Sequence, residues 1–305
     1  MKAEFHSGER KIQEMVGERP MADANGRVIT NTIIPGAINF IEKQPMAIVS
    51  SLGAGKKVWT SLLIGDFGFV KVPGPHKVVF RNAYIKSAAS DIVYKNLQLN
   101  NTMGTLFIEL SSRRRFRLNG RITIGQEAIN LQVEEAFPNC PKYIQRRVMA
   151  LPDHFQQTEP RVSKGTTMDP HIREWIKKAD TFFVGSMDSF NRMDVNHRGG
   201  KQGFIEILDN GMLKIPDYQG NSMYNTLGNL LHNPHLGLLF IDFNKGNTLQ
   251  LTGKGTLLFG QDSEEDLKKT NGTGRFWLFD MEEFMLTQDH HQVHWEFLDY
   301  SPFNP

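Results

Sequence analysis

The chain has 305 residues, of which 39% are apolar and 22% charged, with a net charge of +2. Such a composition belongs to a folded globular protein, not a disordered chain, and the near-neutral balance offers no footprint for a nucleic-acid partner. Length alone predicts about two domains. The single cysteine, Cys140, excludes an intrachain disulfide and a Cys-ligated zinc or iron–sulfur site within one chain. No apolar run reaches the length of a membrane span, and the polar stretch from Met1 to Arg10 lacks the apolar core of a secretory signal, so a cytoplasmic setting without membrane contact is expected.

The chain opens with FHSGERKIQEMVG from Phe5, where Ile12, Met15 and Val16 predict a short helix seated on the rest. An internal repeat follows. MAIVSS, ending at Ser51, resembles TFFVGS, ending at Ser186, and Gly65–Val70 (GDFGFV) resembles Gly200–Ile205 (GKQGFI), both at an offset of 135. Asn96–Ile108 (NLQLNNTMGTLFI) resembles Asn229–Ile241 (NLLHNPHLGLLFI) at an offset of 133, which Gly120 and Gly253 preserve. Three blocks in the same order predict two homologous domains, 1–151 and 169–305. The polar, aperiodic stretch 152–168 reads as their linker. Arg113, Arg114 and Arg115 read as a solvated hairpin turn.

In the second repeat, Asp169-Pro170 is a helix start followed by Ile172, Trp175, Ile176 and Ala179 at helical spacing. A buried strand is expected at Thr181–Ser186, and a hairpin at Phe204–Leu208 and Leu213–Ile215 around Asp209-Asn210-Gly211. A helix over Ser222–His232 and two long strands, Leu236–Phe243 and Thr248–Phe259, complete a mainly β repeat with short helices. At the C-terminus, alternation predicts a strand with His290, Gln292 and His294 outward, a pattern that favours an exposed strand face over a metal site.

Three polar clusters fall in this repeat. Asn196-His197-Arg198-Gly199 lies between two strands, with a guanidinium fork suited to an anion and a glycine that permits close backbone approach. Tyr218 and Asn221-Ser222 run into Asn225 and Thr226 at a helix N-terminus, where free N–H groups suit a phosphate. Thr248 and Gln250 share one strand face. Singly each cluster reads as an ordinary turn, cap or strand face; together they predict a site for a phosphorylated planar ligand. At the same offsets the first repeat has Leu63 for Arg198, Ala88 for Asn221, Ala89 for Ser222, Ile92 for Asn225 and Val93 for Thr226. It keeps the fold residues and lacks the anion-binding ones.

The segments DVNHRGGKQGFIEILDNGML, PDYQGNSMYNTLGNLLHNP and LQLTGKG resemble the flavin-binding split-barrel family typified by pyridoxamine 5′-phosphate oxidase, in its two-barrel subgroup. FHSGE with Gln13, WTSLLIGDFGFV from Trp59 and the closing YSPFNP extend the resemblance to nearly the whole chain. It implies two tandem six-stranded antiparallel Greek-key split barrels and FMN held noncovalently in a groove between barrels. It further implies that Asn196–Gly200 lies along the flavin, that the stretch Asn221–Thr226, with Asn221, Ser222, Asn225 and Thr226, lies near the phosphate, and that the strand Thr248–Gln250 lies by the ring or ribityl chain. The family's paired phosphate cations and the C-terminal arginine–tryptophan motif of the true oxidases are missing, so pyridoxal phosphate synthesis is not expected. The reading is a flavin-dependent oxidoreductase acting on a small redox substrate, with His197 as the candidate catalytic group and a homodimer as the expected assembly. The alternative is a flavin, deazaflavin or haem carrier or sensor without turnover. The two repeats of one chain could instead form the groove internally as a pseudo-dimer, in which case residues near Trp59 and Ser61 are expected to line the far side of the site.

Overall fold

The computed structural model describes residues 5–156 and 159–305. Two helices, α1 (Ser7–Met15) and α2 (Arg19–Asn25), precede α3 (Pro35–Lys43) and the strands β1 (Met46–Leu52), β2 (Val58–Ile64), β3 (Val70–Gly74) and β4 (Lys77–Arg81). Then come α4 (Ile92–Leu99), β5 (Thr102–Glu109), β6 (Arg114–Ile124), β7 (Ala128–Pro138), β8 (Arg146–Ala150) and β9 (Arg161–Gly165). The second half runs α5 (Pro170–Lys178), β10 (Thr181–Met187), β11 (Met193–Gly199), β12 (Glu206–Ile207), β13 (Leu213–Pro216) and α6 (Asn225–His232). It ends with β14 (His235–Ile241), β15 (Thr248–Leu258), α7 (Glu264–Lys269), β16 (Phe276–Gln288) and β17 (His294–Asp299).

The two halves have one topology. The first sheet is ordered β2-β1-β5-β6-β7-β4-β3 and the second β11-β10-β14-β15-β16-β13-β12, which is the same order element for element. A β-bulge falls at Asn119/Gly120 in one and at Thr252/Gly253 in the other. Asn96 donates to Ser51 Oγ at 3.0 Å, and its counterpart Asn229 donates to Ser186 Oγ at 2.9 Å, tying the equivalent helix to the equivalent strand in each repeat. Each sheet path has seven strands, not six, because the hairpin β3–β4, like β12–β13, extends the sheet. Val49, Leu63, Val70, Phe80, Phe107, Leu118 and Leu131, one from each strand of the first sheet, meet in one core, so the sheet wraps around its own side chains. An isolated bridge between Gly65 and Ile85 joins its ends without closing a continuous ring.

Three local expectations change. The polar stretch between the repeats contains β9, which adds to the edge of β16; all its side chains are exposed or half-buried, so no alternation marks it. Met15 is exposed, whereas Ile12 is fully buried in the core of the second repeat. His290 and His291 precede the last strand and are both buried, because β17 begins only at His294.

The repeats pack face to face about a pseudo-twofold axis. Ile48, Leu62, Leu106 and Ile108 of the first share a core with Phe183, Val195, Leu239 and Ile241 of the second. The strands that leave each repeat, β8 and β17, pair with one another across this junction. The side-by-side pairing of barrels that a homodimer would provide is therefore made within one chain.

Candidate functional site

Pseudo-symmetry creates two equivalent positions at the junction, and the chain treats them differently. One is an open cavity of about 90 Å³ bordered by β11, the 216–227 segment and the first turn of α6, and by Arg115, Asn139, Cys140, Lys142 and Tyr143 of the first repeat. Asn196, His197, Arg198, Gly199, Tyr218, Asn221, Ser222, Asn225 and Thr226 all border it. Thr248 and Gln250 do not. Gln250 lies at the other position, where its Nε2 donates to Thr60 O at 2.8 Å and to Ser61 Oγ at 2.9 Å.

The twofold relation explains this division. Each site takes its loop and helix from one repeat and its facing strand from the other. At an offset of 133, Thr248 and Gln250 correspond to Arg115 and Arg117. The strand facing the second repeat's site is therefore β6, whose Arg117 donates to Asn196 Oδ1, as Gln250 donates to Ser61. Trp59 and Ser61, expected on the far wall, belong to the opposite site for the same reason. Arg115, Arg117 and the 139–143 segment were missed by the sequence reading. Shifting the repeat alignment from one copy to the other would have found the two arginines.

Local sequence sets the geometry of the open site. Gly228 donates to Tyr224 O, so the N–H groups of Asn225, Thr226 and Leu227 lie ahead of the first intrahelical bond. The expected helix from Ser222 starts at Asn225, because Ser222 and Tyr224 hold left-handed backbones at φ 61° and 60°. Non-glycine residues adopt that conformation at a cost, which the N-terminal arm offsets. Gln13 Nε2 donates to Met223 O at 3.1 Å, Asn25 Nδ2 to Asn221 O at 2.8 Å, and Tyr224 Oη to Glu18 at 2.7 Å. The arm reaches this loop because α1 crosses α6 at Gly8 and Gly228; a Cβ on Gly228 would stand 2.6 Å from the Glu9 backbone nitrogen. On the far side, a side chain at Gly199 would run into the Tyr143 carbonyl, so that glycine lets the first repeat's segment close over the site. Tyr143 and Tyr218 pack with ring centroids 4.8 Å apart.

The polar side chains divide into two groups. Asn196, Asn225 and Thr226 are held in a network around Arg117. Arg117 donates to Asp194 Oδ1 at 2.9 Å and Asn225 Oδ1 at 3.0 Å, while Asn196 Nδ2 donates to Asp194 Oδ2 at 2.7 Å and Thr226 Oγ1 at 2.8 Å. These residues shape the site. The second group retains unused capacity. Arg198 Nη1 donates to Asp217 Oδ1 at 3.0 Å, but its Nε is buried without a partner among the described residues. Both ring nitrogens of His197 are also buried without partners among the described residues. The equivalent of His197 is Leu62, so its ring turns toward the inter-repeat core, edge-on to Phe183 with centroids 5.6 Å apart. Desolvation, with the charges of Arg115, Arg198 and Arg147, drives its pKa well below the ordinary imidazole value. At neutral pH it is an uncharged ring, able to donate one hydrogen bond and accept another. Desolvation and the neighbouring Arg117 likewise lower Arg115, whose Nε donates to Cys140 O at 2.7 Å.

The opposite site is filled by the chain itself. His290 Nε2 donates to Leu62 O at 2.8 Å, and Ala88 N donates to His290 O at 3.0 Å. Asp91, in the place of Tyr224, accepts from Ser61 Oγ at 2.6 Å and caps α4 through Val93 N at 2.8 Å. Leu63 joins the first core, where the matching Arg198 lines a cavity instead.

No family model matches the sequence, and no curated relative is found. Solved structures with related outlines exist. A single-residue variant of HupZ from Group A Streptococcus is 10% identical, with 39% of this chain and 99% of that one covered at a TM-score of 0.33. A putative pyridoxamine 5′-phosphate oxidase from Lactobacillus delbrueckii is 14% identical, with 35% and 95% covered at 0.28. HutZ, a heme storage protein from Vibrio cholerae, is 15% identical, with 43% and 94% covered at 0.26.

Proposed function

We propose that the open site binds the phosphate end of flavin mononucleotide and that the protein is a flavin-dependent oxidoreductase. The observation that carries this reading is a buried, unpartnered arginine donor beside a helix N-terminus. Arg198 Nε has no hydrogen-bond partner among the described residues, and Arg198 borders the same cavity as the first turn of α6. Buried polar groups are nearly always satisfied, so an orphaned guanidinium donor at a cavity supports an anionic ligand there. Helix N–H groups and a guanidinium are the donors a phosphate requires. The cavity volume of about 90 Å³ is smaller than the several hundred Å³ of a whole cofactor pocket, so it suits the anionic end, with the flat ring lying outside it.

When bound, the flavin supplies the electron and hydride chemistry, and the chain binds and orients it. Arg198 and the α6 N-terminus neutralise the phosphate, and the Arg117 network fixes the loop around it. His197, held neutral, offers a hydrogen bond and does not act as a store of protons. Comparing FMN with riboflavin in a fluorescence titration tests the assignment. FMN should bind at least tenfold more tightly, since a charge-assisted contact is worth about 1.5–3 kcal/mol. Equal affinity would remove the phosphate from this site. Reduction of the bound flavin by a nicotinamide cofactor, followed by reoxidation by an acceptor, separates an oxidoreductase from a carrier.

A further inference from the structure

We propose a second ligand site in the neighbouring cavity, for a flat apolar carboxylate that also carries a hydrogen-bond donor. This cavity has a volume of about 380 Å³ and shares Arg115 and Asn139 with the open site. Its walls are apolar: Ile34, Ala37 and Phe40 at the start of α3, and Phe116 and Pro141 opposite. Its rim is cationic. Arg113 is neutralised by Asp299, but Arg114 and Arg115 form no ion pair with a carboxylate among the described residues. The Arg114 guanidinium lies over the Phe40 ring, 4.9 Å from its centroid, so charge and aromatic face are presented together. A guanidinium in that setting binds a carboxylate through paired hydrogen bonds, and the aromatic face takes a flat body.

A separate observation points to an occupant. Asn139 lines this cavity, and its Oδ1 is buried with no hydrogen-bond partner among the described residues. A ligand hydroxyl or amide N–H would satisfy it. An apolar pocket with a few convergent polar groups is the usual design of a small-molecule site, and its volume falls within the range of such pockets. As a substrate site next to the cofactor it rests on the flavin reading; as a binding site it does not.

The probe is 6-hydroxy-2-naphthoate, followed by its own fluorescence on the full chain with and without FMN. Its neutral counterpart, 6-hydroxy-2-naphthamide, should bind at least tenfold more weakly. Arg114→Gln, at an exposed residue, should weaken the acid by about tenfold. Ile34→Asp, which places a carboxylate on the apolar wall at a helix N-cap that tolerates it, should abolish binding. The proposal is overturned if the acid does not bind, if the amide binds equally well, if either variant binds like the parent, or if FMN displaces the probe one for one. Probe binding without FMN binding would sink the flavin reading alone, and FMN binding without probe binding would sink this proposal alone.

Discussion

Arg117 gives the sharpest test of how the two repeats are joined. Its side chain is 2% exposed and crosses from the first repeat to Asp194 of the second, itself 7% exposed, at 2.9 Å. Burial lowers the arginine's pKa, and Asp194 and Glu135 partly restore it. Arg117→Met keeps the apolar volume but leaves Asp194 as an unpaired buried charge. Breaking such a pair from one side costs about 3–5 kcal/mol, far more than the pair contributes net. At roughly 2–4 °C per kcal/mol for a chain of this class, the melting temperature should fall by about 6–20 °C. Adding Asp194→Asn removes the orphaned charge and should recover at least half the loss. The equivalent position across the junction manages without the pair, having Gln250 in place of Arg117 and Trp59 in place of Asp194. Thermal melts followed by circular dichroism at pH 7 give all three values. If the single variant melts within about 2 °C of the parent, or if the double variant is no better than the single, the pair does not join the repeats as described.

Further expectations concern the site and the arm. Arg198→Ala should weaken FMN binding about tenfold to a hundredfold and cost only about 1 kcal/mol of stability, because Asp217 keeps Arg275 at 3.3 Å. Leu63→Ala should do the opposite, costing about 2–5 kcal/mol in the first core and leaving FMN affinity unchanged, as paired melts and titrations will show. Gly228→Ala should lift α1 from α6, so limited proteolysis should cut before residue 26 faster than in the parent. The pH dependence follows from Glu9, whose carboxyl is pushed up to about 8 chiefly by desolvation. The unfolded chain loses this proton near pH 4.5 while the folded chain keeps it to about 8, so the Glu9 contribution to stability is complete at low pH and falls across that window. Denaturant melts of Glu9→Gln should therefore show a flatter stability profile between pH 5 and 8; an unchanged slope would count against a buried neutral Glu9.

Much of this architecture is written locally. The two offsets, 135 then 133, align strands that prove equivalent, and the shared Asn96/Asn229 bond explains why those asparagines recur. The helix cap at Asp169 is readable because the cap is a local contact: its side chain accepts from Ile172 N at 2.8 Å. What the sequence did not disclose is what the twofold pairing decides. The far wall comes from the opposite repeat, so Arg115 and Arg117, legible only as a charged hairpin and a strand face, enter the site. Thr248 and Gln250, legible as site residues, leave it. His290 looked outward-facing by alternation, yet it fills the first repeat's site, since nothing near it in sequence reveals the cavity it enters. His197 read as a candidate catalyst because imidazoles titrate near neutrality, but its place in the inter-repeat core removes that property.

The central claim is one flavin site per chain, completed by both repeats of that chain. Titration of the purified protein with FMN, read by absorbance and by equilibrium dialysis, measures this directly. One FMN per chain is expected, with flavin bands in the visible spectrum and a stoichiometry that stays constant on dilution whatever the assembly state. Two equivalent flavins per chain, no flavin binding, or a Soret band from haem in its place would contradict it.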